Sequence, residues 1–240
     1  MTGTISTDEV RALSEASDLD LSMYRPAHVE ARVTRTMASV DAGDIATLES
    51  LVGSDDAVRA EFRRSVAISV TGFFRDPEQF ALLEPFLAAL HDLERPRIWS
   101  AGCSTGRELW TMAVLMDRLG LAGRSQFLGS DILTENIVEA RRGLTDAELD
   151  GHALPQDARL QFEVRDIVRE GPPGHRWDVV VCRNMAIYLE PTARQGLHEM
   201  LAGCLNPGGL LLLGRSERLS SPRALGMTLL GPHLYRKALA

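Results

Sequence analysis

From Pro96 onward, short apolar runs alternate with stretches of helical periodicity. Few folds satisfy that order. The apolar runs cover residues 97–101, 126–130, 160–164, 177–182 and 210–213, and helical patterns fill 108–119, 135–142 and 192–205. Apolar runs this short suit strands buried on both faces, and strand–helix alternation builds a parallel, doubly wound sheet. Residues 227–230 and 233–239, split by Gly231-Pro232, read as a closing antiparallel hairpin. The expected fold class is therefore α/β, with a mostly parallel sheet that ends in this hairpin.

The first ninety residues follow a different rule. Ser6-Thr-Asp-Glu9 has the form of a side-chain cap with acids in the first helical turn. Pro26 fits the first turn of a second helix, with Val29, Val33 and Met37 on one face. Residues 46–52 and 57–70 supply two more helical periods, separated by Gly53-Ser-Asp-Asp56, where Asp55 or Asp56 can cap. The expected organisation is a helical domain over 1–76, a helical connector over 77–95 and the α/β domain over 96–240.

Composition narrows the function. The net charge of −7 lacks the basic excess of a nucleic-acid binder, so no nucleic-acid partner is expected. No run of about 18 apolar residues occurs, and the N-terminus shows no basic stretch followed by an apolar one. A cytoplasmic chain without membrane insertion is expected. Cys103, Cys182 and Cys204 form no C-x-x-C pair, which fits reduced thiols. Neither Cys nor His residues stand at zinc-ligand spacing, so no metal is expected.

The segment Ile98-Trp-Ser-Ala-Gly-Cys-Ser-Thr-Gly-Arg-Glu108 places Gly102 and Gly106 where a buried strand turns into a helix. In an open α/β sheet the ligand crevice lies at the carboxyl ends of the strands, where this turn sits. The closely spaced first glycine pair of a dinucleotide fingerprint is missing, so the turn suits a pyrophosphate poorly. A cofactor without phosphates, such as S-adenosyl-L-methionine, tolerates it; a plain glycine-rich loop is the other reading. Asp131 ends the next strand, where a carboxylate can accept from vicinal ribose hydroxyls or cap the following helix. Asp178-Val-Val-Val-Cys-Arg-Asn184, followed by Met185 and Tyr188, ends a strand in polar residues. That cluster reads either as chemistry or as an Asn184 helix cap beside a core tyrosine.

Taken together, these segments resemble the CheR family of chemotaxis-receptor glutamate methyltransferases. The resemblance rests on Trp99-Ser-Ala-Gly-Cys-Ser-Thr-Gly-Arg-Glu108, Ser130-Asp-Ile132, Trp177-Asp-Val-Val-Val-Cys-Arg-Asn-Met-Ala-Ile-Tyr-Leu189 and Leu205-Asn-Pro-Gly-Gly-Leu-Leu-Leu-Leu-Gly-Arg-Ser-Glu217. Thr71-Gly-Phe-Phe-Arg-Asp-Pro-Glu-Gln-Phe80 and Leu19-Asp-Leu-Ser-Met-Tyr-Arg-Pro26 extend it into the helical half. It implies a Rossmann-like methyltransferase domain behind a helical one, S-adenosyl-L-methionine as cofactor with S-adenosyl-L-homocysteine as product, and methyl esters formed on glutamate side chains. Thr71, Arg75, Glu108 and Asp131 match positions that hold the methionine and ribose parts of the cofactor, around the turn at Gly102. Asn184 and Met185 match positions near the adenine, as does Asp166-Ile167, where Asp166 stands for the family's usual Asn. Arg75 and Tyr188 match residues beside the reacting methyl group.

A glutamate is already ionised at neutral pH, so this chemistry asks for alignment and desolvation rather than a general base. On this reading Arg75 holds the acceptor carboxylate and the Tyr188 hydroxyl helps position it, at the meeting of the two halves. A surface ion pair with Asp76 or Glu78 is the alternative role for Arg75, and Phe73-Phe74 reads as core packing. Arg107 replaces an acidic residue of the family pattern. Residues 143–159 are too few for the three-stranded tail-binding subdomain of receptor-tethering members. Tail-peptide tethering is therefore not expected. Arg25, His28, Arg32 and Arg35 share one helical face that could meet the acidic helical cytoplasmic region of a chemoreceptor or related signalling protein, or simply be a solvated charged face. A small-molecule O-methyltransferase and a non-catalytic cofactor-binding regulator are the competing functions.

Overall fold

The computed structural model describes residues 5–68, 71–149, 151–174 and 176–239. By its contacts the chain divides into two compact units, Met1–Ser69 with Tyr188–Arg194, and Val70–Ile187 with Gln195–Ala240.

The first unit is helical. α1 (Thr7–Ser17) opens with a capping box: Ser6 Oγ accepts from Glu9 N at 3.3 Å, and the Glu9 carboxylate accepts from Ser6 N at 2.8 Å. α2 (Pro26–Ser39) starts on its proline, which needs no hydrogen-bond partner for the missing N–H. α3 (Ile45–Ser54) is capped by Asp44 and α4 (Asp56–Ala67) by Asp55. Gly53 and Ser54 thus belong to α3, because the Asp55 cap lets the next helix begin at once. The helix expected over 57–70 ends at Ala67, and Val70 lies outside the described residues. Pairs at i,i+4 spacing fill the centre: Val29 with Val33, Leu48 with Val52, Phe62 with Val66, all buried. Residues Tyr188–Arg194 join this unit through a Tyr24–Leu189 bridge, and Arg25 N donates to Tyr188 O at 3.0 Å.

The second unit carries a seven-stranded sheet in the order β3-β2-β1-β4-β5-β7-β6. Its strands are β1 (Arg97–Ala101), β2 (Gln126–Asp131), β3 (Leu160–Val164), β4 (Trp177–Cys182), β5 (Leu205–Leu213), β6 (Met227–Gly231) and β7 (Leu234–Lys237). Neighbours among β1 to β5 are parallel, while β7 runs antiparallel to β5 and to β6. The helices are α5 (Pro77–Leu87), α6 (Arg107–Arg118), α7 (Thr134–Arg142), α8 (Asp146–Leu149), α9 (Ile167–Glu170) and α10 (Pro191–Gly203), the last beginning in residues counted with the first unit. Ile98, Phe127, Val179, Val181, Leu210 and Leu212 from the sheet pack with Leu109, Met112 and Met116 of α6.

Two segments differ from the sequence expectation. β5 begins at Leu205 rather than 210, because a register shift against β4 between Trp177 and Val179 absorbs the Asn206-Pro-Gly-Gly run. A bulge is one of the few places where a strand accepts proline. Residues 77–87 form no mere connector: Phe80, Leu83 and Leu87 make an apolar stripe in the sheet's core cluster, each worth about 1.5–3 kcal/mol of burial.

The strand order reverses direction between β1 and β4. In an open α/β sheet such a switch point is where ligands bind, beyond the carboxyl ends of both strands. The loops that follow them, 102–106 and 183–187, carry Gly102, Asn184 and Met185.

Candidate active site

The turn after β1 is built by backbone demands. Gly102 sits at φ +75°, and a Cβ there would lie 3.0 Å from Met185 Sδ. A larger residue would be strained in this left-handed backbone and would crowd the Met185 side chain. Gly102 N and Cys103 N both donate to Ser130 O at 2.9 Å, which ties the turn to β2.

Asp131 is 8% exposed at the end of β2. Its Oδ2 accepts from Ser104 N at 2.8 Å, and its Oδ1 accepts from Leu133 N at 3.0 Å and Asn136 Nδ2 at 2.9 Å. The carboxylate thus braces both the glycine turn and the entry to α7. Burial pushes its pKa up, and the Leu133, Asn136 and Ser104 donors oppose that rise. Arg165 N donates to Asp131 O at 2.9 Å and brings the end of β3 alongside. Asp166 there caps α9 through Val168 N and Arg169 N, and Ile167 is buried.

Glu108 lies in the first turn of α6, where a negative charge suits the helix dipole. It is buried, and burial raises its pKa against the Arg183 charge and the Ser100 hydroxyl. Ser100 Oγ donates to Oε1 at 2.8 Å and Arg183 Nη1 to Oε2 at 3.3 Å.

Arg183 and Glu217 were not among the expected site residues, and they organise it. The Arg183 guanidinium also donates to Gln79 Oε1 at 3.0 Å, Asp76 Oδ2 at 2.7 Å and Arg75 O at 2.7 Å. It lies 4.9 Å from the Phe80 ring centre. Glu217 is buried and accepts from Asn184 N, Ala186 N and Gly214 N at 2.7–2.8 Å. A Cβ on Gly214 would fall 2.6 Å from Glu217 Oε2, so only glycine admits that carboxylate. The available sequence signal was a charged residue directly after β4, and an acid four residues past the end of β5.

Arg75 follows the half-buried Thr71 in the segment leading to α5. Its Nε lies 3.9 Å from Asp76 Oδ2, a long contact. Asp76 makes shorter ones to Arg183 at 2.7 Å and Arg215 at 3.1 Å, and Glu78 pairs with Arg215 at 3.0 Å. The two acids considered as partners of Arg75 are thus mainly held by other guanidinium groups. Asn184 adopts φ +61° and its neighbour Met185 is half-buried against Gly102.

Tyr188 lies with the helical unit, its ring 4.9 Å from that of His28. His28 is a correction to the basic stripe on α2. It is half-buried, its Nε2 donates to Val66 O at 2.9 Å, and burial, with Arg32 nearby, lowers its pKa. Arg25 and Arg35 are exposed and Arg32 is half-buried.

The CheR methyltransferase SAM binding domain matches this chain over residues 69–157 and 155–229. The chain belongs to the CheR methyltransferase family. The Chemotaxis protein methyltransferase of Escherichia coli K12 is 33% identical over 66% of this chain and 64% of its own length. That of Listeria innocua is 23% identical over 95% of both. An uncharacterized 104.1 kDa protein of Rhodobacter capsulatus is 32% identical over 88% of this chain, which spans only 25% of that relative.

The cofactor class follows from the matched domain, S-adenosyl-L-methionine, and the geometry fits it: a glycine turn that no Cβ could occupy, backed by buried carboxylates at Asp131 and Glu108. Among the described residues no cluster of His, Cys, Asp and Glu could hold a metal ion. A pH dependence is expected in cofactor binding. Both carboxyl groups have raised pKa values, so they take up protons at a higher pH than ordinary carboxyls near pH 4. If Asp131 accepts from the cofactor's ribose hydroxyls as the sequence leads one to expect, protonation removes acceptor strength there. Affinity for S-adenosyl-L-homocysteine should therefore fall on acidification, beginning above the ordinary carboxylate range. Asp131→Ala should weaken binding by about 1.5–3 kcal/mol at neutral pH and flatten the profile. Calorimetry across a pH series checks this; equal binding by wild type and variant would remove Asp131 from the cofactor site.

Proposed function

We propose that this chain transfers the methyl group of S-adenosyl-L-methionine to glutamate side chains of a chemoreceptor or related signalling protein, in the cytoplasm. The observation that supports this reading is the buried Arg183 guanidinium, which donates to both Glu108 and the Arg75 carbonyl and so ties the partly exposed Arg75 to the helix after the glycine turn.

The acceptor carboxylate needs no base, since it is ionised at neutral pH. When bound, the cofactor would supply the methyl group that ends as an ester on the acceptor carboxylate, its sulfonium leaving as a neutral thioether. Arg75 pairs with the acceptor carboxylate and holds it in line. Thr71 and Glu108 orient the methionine part, Asp131 the ribose, and Asp166, Ile167, Asn184 and Met185 the adenine. Arg183 holds Glu108 and the backbone of Arg75 together, so that donor and acceptor sites share one support.

Acceptor selection falls to the helical unit, through Arg25, Arg32 and Arg35 meeting an acidic helix bundle, without tethering by a tail peptide. Contacts between exposed charges are screened over roughly 8–10 Å at physiological salt. Turnover on a receptor cytoplasmic fragment should then fall as salt rises, mainly through KM. Arg32→Glu with Arg35→Glu should reproduce that rise in KM at low salt. A double variant that methylates the fragment normally at every salt concentration would remove this surface from acceptor recognition, and would favour a small-molecule acceptor.

A further inference from the structure

Phe74 at φ +51° and Asp76 at φ +55° flank Arg75, so the turn that carries this guanidinium uses left-handed backbone twice within three residues. For an aromatic residue that conformation is unfavourable and persists only where surroundings enforce it. The surroundings are visible. Phe74 N donates to Thr111 Oγ1 at 3.0 Å, and the Phe74 ring has Phe80 edge-on at 6.2 Å and the Arg118 guanidinium at 5.5 Å. The closest ring is the imidazole of His152, stacked on Phe74 at 4.6 Å and 19°, and edge-on to Phe73 at 5.5 Å.

His152 belongs to the short segment between α7 and β3, and that segment is fastened. His152 N donates to Leu149 O at 2.8 Å, just after α8. Thr145 N and Oγ1 each donate to Glu148 Oε2 at 2.8 Å at its start. The other Glu148 oxygen accepts from Arg107 Nη2, and Arg107 also reaches Glu139 at 3.3 Å. Arg107 opens α6 immediately after Gly106, where a cation opposes the helix dipole, and these two carboxylates offset that. Arg107 and the short segment thus meet in one ion pair.

We propose that residues 143–149 together with His152 form a strap that positions Arg75: Arg107 anchors it to the cofactor turn, and His152 clamps the Phe73-Phe74 pair. His152 is a positioning residue that acts through the turn, by ring stacking rather than by proton transfer. The proposal rests on the reading that Arg75 meets the acceptor carboxylate.

The full-length chain is assayed on a receptor cytoplasmic fragment, with S-adenosyl-L-homocysteine affinity measured alongside. His152→Ala should lower kcat/KM about tenfold or more, since small misplacements of a reacting pair cost this much. Cofactor affinity should stay within about twofold, because the loss is in alignment and not in uniform binding. His152→Phe keeps a ring and should restore most of the activity. Arg107→Ala should reduce the same parameter, and the double variant with His152→Ala should lose little beyond the worse single one, as expected for two residues serving one element. An active His152→Ala, a His152→Phe no better than alanine, or fully additive losses would overturn the strap, provided Arg75→Ala is inactive. If Arg75→Ala is active, the underlying reading of Arg75 fails instead.

Discussion

Replacing Arg183 with methionine is expected to destabilise the fold by about 3–5 kcal/mol, the usual cost of removing one partner from a buried charge pair. Arg183 is 7% exposed and donates to Glu108, Asp76, Gln79 and the carbonyl of Arg75. Methionine matches much of its apolar volume but leaves the buried Glu108 carboxylate without its cation. The pH response fixes the cause. Burial already raises the Glu108 pKa while Arg183 opposes it, so the variant's carboxyl should titrate higher still. A carboxyl whose folded pKa lies above its unfolded value contributes stability below the unfolded pKa and loses it as pH rises through the folded one. The deficit of Arg183→Met should therefore be largest at neutral pH and shrink on acidification. Denaturant unfolding at several pH values measures it, and a deficit that does not change with pH would mean that lost packing, rather than an orphaned carboxylate, is responsible.

Arg75→Ala should abolish most turnover, by about a hundredfold or more, the scale on which misaligned reacting groups lose rate. The guanidinium lies 3.9 Å from Asp76, and Asp76 keeps its shorter bonds to Arg183 and Arg215 when the Arg75 side chain is removed, so that acid stays paired in the variant. Unfolding midpoints close to wild type combined with a collapse in kcat would establish the role. Arg75→Lys should recover only part, since an ammonium offers a point charge where a planar fork can pair with both carboxylate oxygens. Unchanged kcat and KM in Arg75→Ala would place the acceptor elsewhere.

The parallel sheet was legible because each strand is an apolar run bounded by polar turns, and β1, β3 and β4 fall where periodicity puts them. β5 was less so, since its first half carries the Asn206-Pro-Gly-Gly run and pairs only across a bulge. α5 reads as a linker by position, but its Phe80–Leu83–Leu87 stripe assigns it to the core. In the site, Gly102, Asp131 and Glu108 announce themselves as glycine or acid at strand and helix ends. Arg183 and Glu217 do not, because their work is internal: one gathers carboxylates, the other collects backbone N–H groups from two loops. Periodicity alone put His28 on a charged face, and only tertiary packing reveals that its ring is stacked on Tyr24 and its Nε2 engaged.

The central claim is methyl ester formation on a protein carboxylate, and the most direct measurement is transfer of a labelled methyl group from S-adenosyl-L-methionine to a receptor cytoplasmic fragment, followed by mild alkali. The account predicts label in the fragment that alkali releases as volatile methanol and that maps to glutamate side chains. Label that resists alkali, or that enters small metabolites and never the protein, would contradict it.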